Sequence, residues 1–116
     1  MLLFISAHII FYSLDYLDYK NRIASIRLTG IDCSRIADGN YTGECDAGYI
    51  YARVEVVVAN GSIAGIRILD HRHERGTAAE QIVHHITATG RTDIDAVSGA
   101  TNSSLVIQKA VENALK

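Results

Sequence analysis

Residues 95–104 read DAVSGATNSS: an acidic residue, two apolar ones, then seven small residues, four of them hydroxyl-bearing, ahead of a helix-patterned tail. Small side chains let a ligand come close to the backbone, and Ser98, Thr101, Ser103 and Ser104 set hydroxyls beside it. Ser103 or a neighbour could simply cap the last helix. One cap needs one Ser, Thr or Asn and contributes about 1 kcal/mol, whereas this run holds five such residues. The excess suits an anion seat, in which free amides and the positive end of the dipole, at a helix start near Asn102 or Ser103, attract a phosphate. A tight turn before an ordinary cap gives a similar string, so the residues alone leave both readings open.

Two other chemistries fit less well. His71-x-His73-Glu74 and His84-His85 are metal-ligand types, but adjacent helical residues point about 100° apart and the spacing makes no recognisable site. Ser98 with a histidine and Asp95 supplies the residue types of a hydrolytic triad. Val97-Ser98-Gly99 is not a G-x-S-x-G elbow, however, and the chain is small to hold a substrate cleft as well.

The elements that must position these residues are legible from residue 36 onward. Asp38-Gly39 signals a turn, followed by a short strand with Tyr41, Gly43 and Cys45 on one face. Residues 50–59, IYARVEVVVA, alternate, with Ile50, Ala52, Val54, Val56 and Val58 on one side. Asn60-Gly61 is the preferred filling of a type I′ turn, so residues 62–70 form the partner strand, with Ala64, Ile66 and Ile68 expected on one face. HRHERG, 71–76, reads as a charged loop. Thr77-Ala78-Ala79-Glu80 matches a capping box, which predicts a helix near 78–89 burying Ala79, Ile82, Val83 and Ile86 and ending at Gly90. A second helix, 103–115, should bury Ile107, Ala110, Val111 and Ala114. The expected fold class is α+β: a mainly antiparallel sheet around the central Asn-Gly hairpin, with two helices packed on one face.

A chain of 116 residues, 48% hydrophobic and 21% charged, is one small globular domain by size. The net charge of −2 offers no basic stripe for nucleic acid. Cys33 and Cys45 are too far apart for a CxxC site; a disulfide, two buried thiols or no special role all remain open. Residues 1–14, MLLFISAHIIFYSL, carry no Asp, Glu, Lys or Arg, yet are shorter than the ~20 residues that span a bilayer. They read as a truncated membrane anchor, with a buried helix or an interfacial segment as rivals. Residues 15–35 then read as a stem and 36–116 as the domain.

Asp95-Ala96-Val97-Ser98-Gly99-Ala100-Thr101 resembles the S/T-G-A-T signature of the FMN-binding domain family, which includes flavin-carrying subunits of Rnf and sodium-pumping NADH:quinone oxidoreductase type complexes. Asp38-Gly39-x-Tyr41-x-Gly43, the valine-rich strand, Asn60-Gly61-x-Ile63 and the His71–Gly76 loop follow the family's order. The resemblance implies FMN as cofactor, held at Ser98, Gly99, Ala100 and Thr101 with Asn102, Ser103 and Ser104 beside them, and in transferase-modified members esterified to the final threonine, here Thr101. It also implies that Asp95 helps present the motif and that His71, Glu74 and Gly76 lie near the isoalloxazine ring. The implied role is an electron carrier within an oxidoreductase system, membrane-associated on the extracytoplasmic face. Its partners would be redox donor and acceptor proteins or a quinone-linked complex, and a flavin transferase. A scaffold module with the same fold and no flavin is the rival class, and the colour of purified protein separates the two.

Overall fold

Asn60 and Gly61 both take positive φ, 55° and 74°, the pair of values a two-residue I′ connection needs. Ala59 therefore pairs with Ser62 across the turn. In the computed structural model, which describes residues 15–72 and 77–116, this turn joins β2 (Tyr51–Ala59) to β3 (Ser62–Arg72), and β1 (Gly39–Asp46) pairs with the other edge of β2. The result is a three-stranded antiparallel sheet in the order β1-β2-β3. Helix α1 covers residues 15–25, α2 Ile82–Thr89 and α3 Thr101–Ala114, an α+β arrangement. The apolar segment 1–14, together with His73, Glu74, Arg75 and Gly76, lies outside the described residues. Among the described residues no helix is long and apolar enough to cross a membrane.

The alternation in β2 has the expected consequence: Ala52, Val54, Val56 and Val58 are buried in one row. They share one cluster with Ile82, Val83 and Ile86 of α2 and Val106, Ile107, Ala110 and Val111 of α3, so both helices cover the same face of the sheet. Each fully buried Val or Ile contributes roughly 1.5–3 kcal/mol relative to exposure. Ala79 is buried as expected, and Gly90, at φ 72°, ends α2 with its amide on the Ile86 carbonyl at 2.8 Å. Both cysteines are free thiols, Cys33 buried and Cys45 half-buried.

Three local expectations need correction. In β3 the pairing shifts between Val57/Val58 and between Arg53/Val54, leaving Ala64 and Leu69 without direct partners. Ala64 is therefore bulged to the exposed side, and Ile63 takes the inward position at 5% exposure. A bulge inserts one residue and resets the alternation, which strict period-two reading cannot anticipate. Second, β3 continues through His71 and Arg72, so His71 belongs to a strand rather than a loop. Third, the helix expected near 78–89 opens as a 3₁₀ turn over Thr77–Gln81, and the Glu80 carboxylate meets His71 Nδ1 at 3.0 Å.

The segment read as a stem is tied into the domain. The amides of Thr29 and Gly30 donate to the Glu112 carboxylate at 3.0 and 2.9 Å, and the Ile31 amide donates to Thr92 Oγ1 at 3.2 Å. Cys33 joins the core cluster. Cutting the chain at residue 36 removes all of these partners and leaves a buried carboxylate short of donors, which is expensive in free energy. A 36–116 chain is therefore expected to unfold at much lower urea than a 27–116 chain. Equal midpoints for the two in far-UV circular dichroism would refute this.

Candidate functional site

The Ser98–Thr101 run forms a tight turn and then a helix start. The Ala100 amide closes back on the Val97 carbonyl at 2.9 Å, and Gly99, third in the turn, has φ 78°. Positive φ at that position alone is the demand of a type II turn, and glycine meets it without strain. Ala100 is the N-cap of α3, which begins at Thr101, not at Asn102 or Ser103, and carries no side-chain cap. Its first intrahelical bond runs from the Ser104 amide to the Ala100 carbonyl at 2.9 Å. The amides of Thr101, Asn102 and Ser103 precede it and are the first-turn donors that lack helical acceptors.

Ser98, Gly99 and Thr101 are exposed, and nothing lies within 4 Å of the space a side chain at Gly99 would enter. An uncapped helix start, an open glycine and a threonine hydroxyl on the first helical residue together suit a phosphate, because first-turn amides and the helix dipole attract an anion and the space beside Gly99 is open. Asp95 is exposed on the loop leading in. Ser103 and Ser104 are buried, at 4% and 0% exposure, so their hydroxyls do not line this surface.

Ser104, Gln108 and Glu112 instead form a polar row at i, i+4 and i+8 on the inner side of α3. Ser104 Oγ accepts the Val97 amide at 3.0 Å. Gln108 Nε2 donates to the carbonyls of Thr92 and Ile94 at 3.0 and 2.7 Å. Glu112 Oε2 accepts from Thr92 Oγ1 at 2.6 Å. Three rungs of one helix thus hold the loop from Thr92 to Val97, and with it the turn that leads into Thr101. Burial works to raise the Glu112 carboxyl, but hydrogen bonds from Thr92, Thr29 and Gly30, with the Lys109 charge, outweigh it and hold the pKa below the ordinary glutamate value.

Asn102 donates from Nδ2 to Tyr19 Oη of α1 at 3.0 Å, so its side chain ties two elements together. His71 is brought to the same end of the molecule. It pairs with Ala52, which pairs with Cys45 at the end of β1, and the turn from Ala47 to Ile50 follows. Gly48 in that turn lies 3.8 Å, measured from a built Cβ, from Tyr19 Cβ, next to Asn102. The His71 side chain is only 2% exposed and meets Glu80 at 3.0 Å, so it is not an exposed contact. Glu74 and Gly76 fall outside the described residues.

Sequence reading missed Thr92, Gln108, Glu112 and Tyr19. A signal for Gln108 and Glu112 was present, because Ser104, Gln108 and Glu112 recur every four residues inside a helix whose neighbours Ile107, Ala110, Val111 and Ala114 are all apolar. Polar residues at that spacing beside a buried stripe need partners.

A three-stranded antiparallel sheet, covered on one face by two helices, of which the second starts uncapped at an exposed threonine, defines a small α+β domain. The family model of the FMN-binding domain matches residues 47–116, more than half of the chain. The chain belongs to the FMN-binding domain family, and FMN is its cofactor. Comparison with curated proteins returned no match. The matched region begins just after β1, whereas the resemblance read from the residues starts at 36.

Proposed function

We propose that this domain is an electron carrier whose FMN is held at Ser98-Gly99-Ala100-Thr101 and esterified through its phosphate to Thr101 Oγ1. The observation that carries this reading is the exposed Thr101 hydroxyl on the first residue of a helix that no side chain caps. The Thr101, Asn102 and Ser103 amides stabilise the phosphate charge whether or not the ester is present, while Ser104 and Gln108 hold the approaching loop in place. FMN supplies the redox chemistry when bound, and the chain supplies position and local charge. Attachment requires a flavin transferase and an activated flavin donor, a flavin dinucleotide: Thr101 Oγ1 attacks the phosphorus next to the ribityl chain, the pyrophosphate P–O bond breaks, a nucleoside monophosphate leaves and the hydroxyl proton passes to a base of the transferase. Electrons would come from and pass to partner redox proteins or a quinone-linked complex. The apolar residues 1–14 support membrane attachment, and an extracytoplasmic position is what the family resemblance implies.

The test is co-expression with a flavin transferase, followed by intact mass and in-gel flavin fluorescence under denaturing conditions. Wild type is expected to gain the mass of one FMN ester. Thr101→Ala is expected to lose the ester completely while retaining reversible FMN binding, because the backbone amides remain. Thr101→Ser keeps the hydroxyl and is expected to label partially. Full labelling of Thr101→Ala would place the ester elsewhere, and a wild type that stays unlabelled would limit the claim to reversible binding.

A further inference from the structure

Beside Thr101 the structure gathers three tyrosines. Asn102 is the next residue along the helix, with its Cα about 3.8 Å from that of Thr101, and its side chain holds the Tyr19 hydroxyl at 3.0 Å. Tyr19 packs edge-on against Tyr49 with ring centroids 5.3 Å apart, and against Tyr16 at 6.2 Å. Tyr16 is 44% exposed, and Tyr19 and Tyr49 are half-buried. Tyr16 and Tyr19 lie on α1, outside the region that matches the family, and Tyr49 lies on the β1–β2 turn. Aromatic side chains are large apolar surfaces that offer π-faces and edges to other rings. This group sits at the end of the molecule that carries Asn102 and Thr101.

Resting on the reading that FMN is borne at Thr101, we infer that Tyr16, Tyr19 and Tyr49 form a wall against which the isoalloxazine ring packs, with Asn102 as the positioning residue that fixes Tyr19 beside the flavin seat. The Thr101 end of α3 would hold the phosphate, and the tyrosines would take the ring end of the cofactor. The occupant is a planar aromatic group on a tether: a ring borne at Thr101 starts one residue from Asn102 and so has the Tyr19 cluster within reach. α1 is thereby part of the cofactor site.

Phenols in van der Waals contact with a flavin shorten its excited-state lifetime by donating an electron to the excited ring, and phenyl rings do not. The triple variant Tyr16→Phe, Tyr19→Phe, Tyr49→Phe keeps ring shape and packing, so its fold is expected to hold. Full-length wild type and variant are labelled by co-expression with the transferase, FMN content is counted by intact mass, and fluorescence lifetimes are compared at equal labelling. The expected result is a strongly shortened lifetime in wild type and a several-fold longer one in the variant, with Asn102→Ala falling between. Equal lifetimes in labelled wild type and labelled triple variant would overturn the tyrosine wall alone. Absence of the FMN mass in wild type would instead overturn the covalent reading beneath it, and that outcome is recognised before any lifetime is measured.

Discussion

Gly43→Ala is expected to destabilise the domain severely. A Cβ built at Gly43 would overlap the Ala114 amide nitrogen and the Ala110 carbonyl oxygen, and would lie 2.6 Å from Ala114 Cα. All three are backbone atoms of α3, so no side-chain rotation relieves the contact and the helix itself would have to move off the sheet. Gly43 pairs with Val54 in the middle of the β1–β2 ladder, which keeps the strand from yielding either. Overpacking a core typically costs ~1–3 kcal/mol, and a clash between two pieces of backbone belongs at or above the top of that range. A loss of that size lowers the melting temperature of a small domain by roughly 10 °C or more. Gly65→Ala is the matched control. Its Cβ would meet nothing within 4 Å, so its stability should stay within about 0.5 kcal/mol of wild type. Thermal and urea unfolding of the two variants decide the matter; similar midpoints would show that α3 does not rest on Gly43.

Glu112→Ala is expected to be comparably damaging, for an electrostatic reason. The carboxylate is fully buried and accepts from the Thr29 and Gly30 amides and the Thr92 hydroxyl, with Lys109 Nζ 3.9 Å away. Alanine would leave the fully buried Thr92 hydroxyl without its acceptor, at ~1–3 kcal/mol for a buried group left unsatisfied, and would release the amides of Thr29 and Gly30, which sit on exposed residues, against a total stability of about 5–15 kcal/mol. Glu112→Gln is isosteric, but its amide would turn N–H groups toward other donors, so only partial rescue is expected. The pH dependence has a definite sign. Because the folded-state pKa of Glu112 is depressed, its contribution is present above the unfolded glutamate value of about 4.3 and is lost as pH falls through the folded pKa. Wild type should therefore lose stability more steeply than Glu112→Gln on acidification below about pH 4.3. Parallel stability curves for the two proteins over that acid range would contradict the assignment.

Much of this architecture was legible before any coordinates. The alternation in residues 50–59, the Asn60-Gly61 turn, the glycine ending α2 and the buried faces of both helices follow from signals between near neighbours: backbone φ, side-chain period and capping geometry. The run Ser98 to Thr101 announced a place where a ligand could approach backbone, because small residues and hydroxyls before a helix are themselves a local pattern. These features the amino-acid sequence determined by itself.

Tertiary structure decided the rest. The bulges at Ala64 and Leu69 depend on how β3 meets β2, and a single inserted residue reverses which side chain points inward. The partners of Glu112 lie up to 83 residues away in the chain, and the neighbours of Gly43 belong to a helix whose position no local rule prescribes. The hydroxyls of Ser103 and Ser104 turned inward once α3 settled on the sheet, and Tyr19, in a segment read as a stem, came to rest beside Asn102. The physical reason is common to all of these. Short-range torsion and periodicity are properties of neighbouring residues, while the partner of a buried charge, or the surface opposite a glycine, is selected only when distant faces close upon each other and exclude water.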